Sequence, residues 1–253
     1  MNYDALTIHR MIASCPRWYH RIELAPGIIT PGVQDSPRNL SFLDEVGLPQ
    51  DCSGMRVLDV GCRDGYFAFE LERRGATVVG VDNIPAEETG FPIASAILGS
   101  KVTYHVENVH NVTPEKYGTF DLILFLGILY HLRNPLRVLD VMHRLIAPHG
   151  LFFVETEVID NRLFLPDGTI TPMETLSPTL LDVPLFQFYP GDTLNHDPTN
   201  VWAPNSAGLR AILYEAMFPV QKMVVFGYRG FSMSRVTYNK TTEFYRDLDT
   251  GVW

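Results

Sequence analysis

The sequence predicts an α/β fold: a Rossmann-like, doubly wound and mostly parallel sheet, closed by a C-terminal antiparallel hairpin. Three observations predict it. Short apolar runs alternate with helical patterns through the middle of the chain. The connections between those runs are long enough for the crossovers that parallel strands require. The first run ends in a glycine-spaced turn that opens straight onto a helix-like stretch, VLDVGCRDGYFAFELERR.

The elements follow in order. Residues 1–44 form an N-terminal extension, with Trp18-Tyr19-His20-Arg21 followed by a Pro/Gly segment through Gly32. Residues 45–160 form the core, with strands expected over 56–60, 77–81, 102–105, 122–126 and 151–155, rich in β-branched and aliphatic residues. Helices are expected over 66–74 and 135–146; in the second, Leu136, Leu139, Met142, Leu145 and Ile146 recur at helical spacing. Residues 161–205 are rich in Pro, Asp, Asn and Thr. An irregular stretch of that length is usually functional or disordered. Its aromatics Phe186, Phe188, Tyr189 and Trp202 argue for an ordered lid. Residues 206–253 hold a helix and two β-like runs, 220–226 and 231–238, joined through Gly227–Gly230 as a hairpin at one sheet edge. The whole reads as a single domain.

The chain has 253 residues and a net charge of −9, with Lys and Arg scattered rather than clustered. That argues against a nucleic-acid partner, whose binding draws on phosphate neutralisation. No leader or long apolar run is seen, so no membrane partner is expected and the protein is read as cytoplasmic. Cys15, Cys52 and Cys62 are too few for a disulfide framework or a zinc site. His196 with Asp192 makes only two scattered donors, so no metal is expected. The oligomeric state is open, a homodimer included.

The glycine turn carries the chemistry. In an open parallel sheet the ligand crevice lies beyond the carboxyl ends of the strands, where Asp59-Val60-Gly61-Cys62-Arg63-Asp64-Gly65 falls. Asp82 ends the next strand, 23 residues beyond Asp59, where an acid accepts hydrogen bonds from ribose hydroxyls. A dinucleotide would want G-x-G-x-x-G, but only Gly61 and Gly65 are present, with Arg63 between. Asp59 would repel a pyrophosphate and suits an ammonium. A ligand with an amino group, a ribose and no phosphate fits both acids, and S-adenosylmethionine is such a ligand.

The stretch resembles motif I of the class I S-adenosylmethionine-dependent methyltransferases, and the similarity runs through most of residues 50–160. The family often has glycine where Arg63 stands. The resemblance implies that Asp59, Gly61 and Gly65, with Cys62 and Arg63 between them, line the methionine end. Asp82 would hold the ribose, beside Asn83. Asn108 and Val109 would meet the adenine, and Leu126 and Gly127 the cofactor's middle. A narrower similarity, on FDLILFLGILYHLRNP (residues 120–135) and LFFVETEVID (151–160), is to the tRNA wobble-uridine carboxymethyltransferases. There Tyr130 matches a tyrosine that helps bind a carboxylated cofactor. A lone tyrosine is a weak carboxylate site, so plain S-adenosylmethionine and a small polar metabolite as acceptor are expected. The acceptor atom is open among O, N and S.

His131 is the candidate base, because it follows the fourth strand and titrates near neutrality; the alternative is a histidine that orders the turn. Glu155 would bind a substrate amine or assist His131, or else sit at a solvated strand end. From the lid, Tyr189 and Trp202 are expected as walls of the acceptor site and Asn200 as a polar contact. His20 is expected to close the site from the N-terminal side. Two rivals remain: a tRNA-directed enzyme with a carboxylated cofactor, and a non-catalytic binding protein whose crevice side chains block.

Overall fold

The structure, a computed structural model, describes residues 3–236. Its main sheet has seven strands: β1 (Arg56–Val60), β2 (Thr77–Asp82), β3 (Thr103–Val106), β4 (Phe120–Leu126), β5 (Ile146–Glu157), β6 (Val220–Phe226) and β7 (Arg229–Arg235). Their spatial order is β6-β7-β5-β4-β1-β2-β3. Strands β1 to β5 run parallel, and β7 pairs antiparallel with both β5 and β6. The order reverses direction between β1 and β4, and crevices for ligands open at such a switch point.

Six helices carry the layers: α1 (Ala5–Ser14), α2 (Ser36–Val46), α3 (Tyr66–Arg73), α4 (Phe91–Leu98), α5 (Pro135–Leu145) and α6 (Ser206–Glu215). Strand alternation decides which face each residue serves. Val57, Leu122, Leu124, Leu151 and Phe153 point to the side covered by α1 to α4. Leu58, Val60, Ile123, Phe125, Phe152 and Val154 point to the side covered by α5 and α6. A third, smaller cluster, Ile159, Met173, Tyr189, Leu194 and Ala203, sits under the 161–205 segment. That segment holds two short antiparallel pairs, Leu163–Phe164 with Ile170–Thr171 and Phe186–Phe188 with Trp202–Pro204.

The boundaries shift in informative places. Ile146, expected to end a helix, instead begins β5 and pairs with Phe120. Leu136 is exposed, and Val138 and Val141 share the buried stripe of α5 with Leu139, Met142 and Leu145. The hairpin turn is tighter than expected: only Gly227 and Tyr228 separate Phe226 from Arg229. Strand β7 ends at Arg235, and Tyr238 lies outside the described residues. No helix among the described residues is long and apolar enough to cross a membrane.

Candidate active site

A cleft of about 1030 Å³ opens at the carboxyl ends of β1, β2 and β4. Gly61 begins its floor. Its φ of +74° is a left-handed angle that favours glycine, and a Cβ there would collide with Ile128. Arg63, at φ 52°, adopts a similar left-handed angle, one that glycine would take without strain. Its amide donates to Asp82 Oδ2 at 2.9 Å, and the Ile84 amide donates to Asp82 Oδ1 at 3.0 Å. Each Asp82 oxygen keeps a lone pair free, and Asp82 lines the cleft with Gly61, Arg63 and Asn83. Asn108 and Val109, then Leu126 and Gly127, continue the wall. Asn108 Oδ1 also accepts the His110 amide, shaping its own turn.

Three predicted loop residues do not reach the cleft surface. Asp59 is buried, and its carboxylate accepts the Ala68 amide at the start of α3. Burial, reinforced by Asp82, pushes its pKa up to about 7. Asp59, expected to face an ammonium, thus lies beneath the glycine loop rather than on the cleft surface. Cys62 packs against Gly80 of β2, and burial raises its thiol pKa well above the usual value. Gly65, at φ +90°, is enclosed by Phe69 and Phe91, 2.7 Å from where its Cβ would stand.

Asp64, singled out by nothing in the sequence, is fully buried and accepts three amides: Tyr19 at 2.6 Å and His20 and Gly90 at 2.8 Å each. It fastens the N-terminal extension to the glycine loop and brings Tyr19 to the cleft wall. His20 does not follow Tyr19 there. Its ring is buried among Tyr19, Tyr66 and Phe67, and burial lowers its pKa to about 4. His20, expected to close the site from the N-terminal side, is enclosed by protein and does not line the cleft.

The fourth strand delivers Tyr130 and His131 to the cleft. His131 Nδ1 lies 3.1 Å from the Thr199 carbonyl and 3.0 Å from its Oγ1, and the Thr199 hydroxyl donates to Asp197 at 2.6 Å. A carbonyl only accepts, so Nδ1 carries the proton and Nε2 the lone pair. Burial lowers the His131 pKa, which favours the neutral ring.

Glu155 is neither a free base nor a solvated strand end. It is buried and pairs bidentately with Arg229, which also binds Glu157 at 2.9 Å. Arg229 lines the cleft, its guanidinium 5.0 Å from the Tyr130 ring centre. Burial raises the pKa of Glu157 and pushes the Tyr130 phenol up to about 12.

From the 161–205 segment, Asn195, Asp197, Thr199 and Asn200 reach the cleft. Asn200 does so with its Oδ1 buried and unpartnered. Tyr189 and Trp202 are not walls. Tyr189 belongs to the small cluster under the segment, and its hydroxyl donates to Gln187 at 2.9 Å. Trp202 is buried against the α5–α6 side, and its Nε1 donates to the Leu132 carbonyl at 2.7 Å. Both of these loop aromatics pack against apolar residues of the protein itself. The walls that sequence reasoning missed are Arg38, Phe42, Phe226, Tyr228 and Phe231, from α2 and the hairpin. A lone arginine just past a hairpin turn, next to two glutamates in register, was the available signal for Arg229.

A methyltransferase-domain family model matches residues 34–197. A ubiquinone biosynthesis O-methyltransferase of Pseudomonas aeruginosa is 31% identical over 161 residues, 61% of this chain and 64% of that protein. Its counterpart from Xanthomonas oryzae pv. oryzae is 32% identical over 114 residues, 45% of this chain and 48% of that protein. The matches thus span less than two thirds of these relatives' own length. In fold, the chain is similar to the N-terminal domain of EvdMO1 with SAH bound, at TM-score 0.62 and 19% identity, covering 93% of this chain and 98% of that one. It is also similar to 1,6-didemethyltoxoflavin-N1-methyltransferase of Burkholderia thailandensis, solved with 1,6-didemethyltoxoflavin and S-adenosylhomocysteine, at TM-score 0.54 and 19% identity, covering 80% and 77%. With the glycine loop, Asp82 and the Tyr130-His131 turn all inside the matched span, the chain belongs to the class I S-adenosylmethionine-dependent methyltransferases.

Proposed function

We propose that this chain is an S-adenosylmethionine-dependent methyltransferase that acts on a small polar metabolite. The observation that carries the reading is Asp82: a carboxylate at the end of β2, on the cleft surface, with one backbone amide on each oxygen and capacity left for a ribose diol. Gly61 would let the methionine end approach the loop backbone, and Asn108 and Val109 would border the base. A cleft of about 1030 Å³ has room for a nucleoside and an acceptor together. Its openness argues against a non-catalytic binding protein with a blocked crevice.

When bound, the cofactor supplies an electrophilic methyl carbon on a sulfonium and departs as a neutral thioether. Alignment of the acceptor in the cleft contributes much of the rate. For a hydroxyl acceptor, His131 Nε2 takes the proton as the oxygen attacks, and the resulting imidazolium keeps its Nδ1–H on Thr199. The segment 161–205 would cover the acceptor, with Asn200 as a polar contact. Calorimetry with S-adenosylhomocysteine tests the reading. Asp82→Ala is expected to weaken binding at least about tenfold, ~1.4 kcal/mol; wild-type affinity in that variant would overturn it.

Arg229 supports a second reading, a tRNA wobble-uridine enzyme with a carboxylated cofactor, because it supplies a cation beside Tyr130. Glu155 and Glu157 already neutralise that cation, which favours the uncarboxylated form. A gel shift with bulk tRNA across a salt series separates the two; salt-dependent binding would favour the tRNA enzyme.

A further inference from the structure

Beyond the nucleoside half, the cleft continues between α2 and the hairpin turn. There a row of planar groups runs along one wall. The Arg38 guanidinium lies 4.1 Å from the ring centre of Phe226. Phe226 stacks on Phe42 at 4.9 Å, and its cross-strand partner is Arg229. Arg229 lies over Tyr130, whose ring is 4.2 Å from that of His131. All six side chains belong to residues that line the cleft. The two cations of the row differ. Arg229 is held by Glu155 and Glu157. Arg38 has no ion pair among the described residues, although the chain carries a net charge of −9. A guanidinium stacked on a ring keeps its in-plane N–H fork free, and that fork matches a carboxylate.

We propose that the acceptor is a planar hydroxy acid whose hydroxyl meets His131 and whose acid group is read by Arg38. This rests on the methyl-transfer reading and adds the substrate class to it. The aromatic wall contributes contact area to any planar ring. Arg38 discriminates, because a neutral amide of the same shape offers it one acceptor and no charge.

The test is binding of 4-hydroxycinnamate against 4-hydroxycinnamamide, and of the shorter 4-hydroxyphenylacetate against its amide, by calorimetry with and without S-adenosylhomocysteine. At least one acid is expected to bind about tenfold more tightly than its amide. Arg38→Gln is expected to abolish that preference, weakening the acid far more than the amide, and Phe226→Leu to weaken acid and amide alike. Equal binding of acid and amide to the wild type, or a preference that survives in Arg38→Gln, overturns the proposal. An acid preference in a protein that fails to hold S-adenosylhomocysteine would leave the Arg38 assignment standing and sink the methyl transfer instead.

Discussion

Asp59 and Asp82 looked alike in the sequence, two acids at the ends of adjacent strands, and they differ in environment. Asp82 keeps its oxygens on the cleft, whereas Asp59 is desolvated, with one oxygen lacking any hydrogen-bond partner. A carboxyl whose folded pKa is raised, here to about 7, contributes stability in full below its unfolded value of 3.8 and loses it as pH rises through about 7. Asp59→Asn retains an acceptor for the Ala68 amide and removes the charge. It is expected to stabilise the protein by on the order of 2–4 kcal/mol near pH 8, and to flatten the loss of stability between about pH 4 and pH 7. Urea denaturation across that range checks it; an unchanged pH profile would mean Asp59 ionises freely. His131 titrates in the opposite sense. Its lowered pKa keeps it a base at neutral pH, so the acid limb of kcat/KM should lie below the ordinary imidazole value of 6.5. His131→Gln should lower kcat on a hydroxyl acceptor by about 10²–10⁴. A loss confined to KM would make His131 a binding residue only.

At the scale of elements, the strands and the helix after the glycine loop were legible, because each carries its own period. The 161–205 segment was not. Its residues read equally as turn formers and as ligand contacts, and its two buried aromatics gave no partner until Ile159 and Met173 were brought beneath Tyr189 and the α5–α6 side against Trp202. Asn205 shows what holds this segment. It is fully buried, accepts the Leu185 and Gly208 amides, and donates to the Leu180 and Val183 carbonyls. Asn205→Ala leaves four backbone groups without partners and removes the N-cap of α6, a loss of about 2–3 kcal/mol. Hydrogen exchange should speed up over residues 180–205 and leave β1 to β5 protected. Uniform acceleration would mean that the segment has no stability of its own to lose.

Across the whole molecule, one sheet separates two cores. Phe153 packs with α1 to α4 and Phe152 with α5 and α6, although they are neighbours in sequence. Both are fully buried. Phe152→Ala and Phe153→Ala are each expected to cost about 3–5 kcal/mol. Both should shift one shared unfolding transition, because the strands are common to the two sides. Two resolved transitions would mean that the layers fold apart. The sequence by itself determined the sheet, the glycine turn, and the placing of Asp82 at a strand end and of His131 just beyond one, since strand period and turn chemistry are local properties. Only the tertiary structure decided that Asp59 faces inward, that Glu155 pairs with Arg229, and that α2 and the hairpin wall the cleft. Those outcomes depend on which distant residues arrive beside a group and whether water leaves it, and no local pattern carries that information.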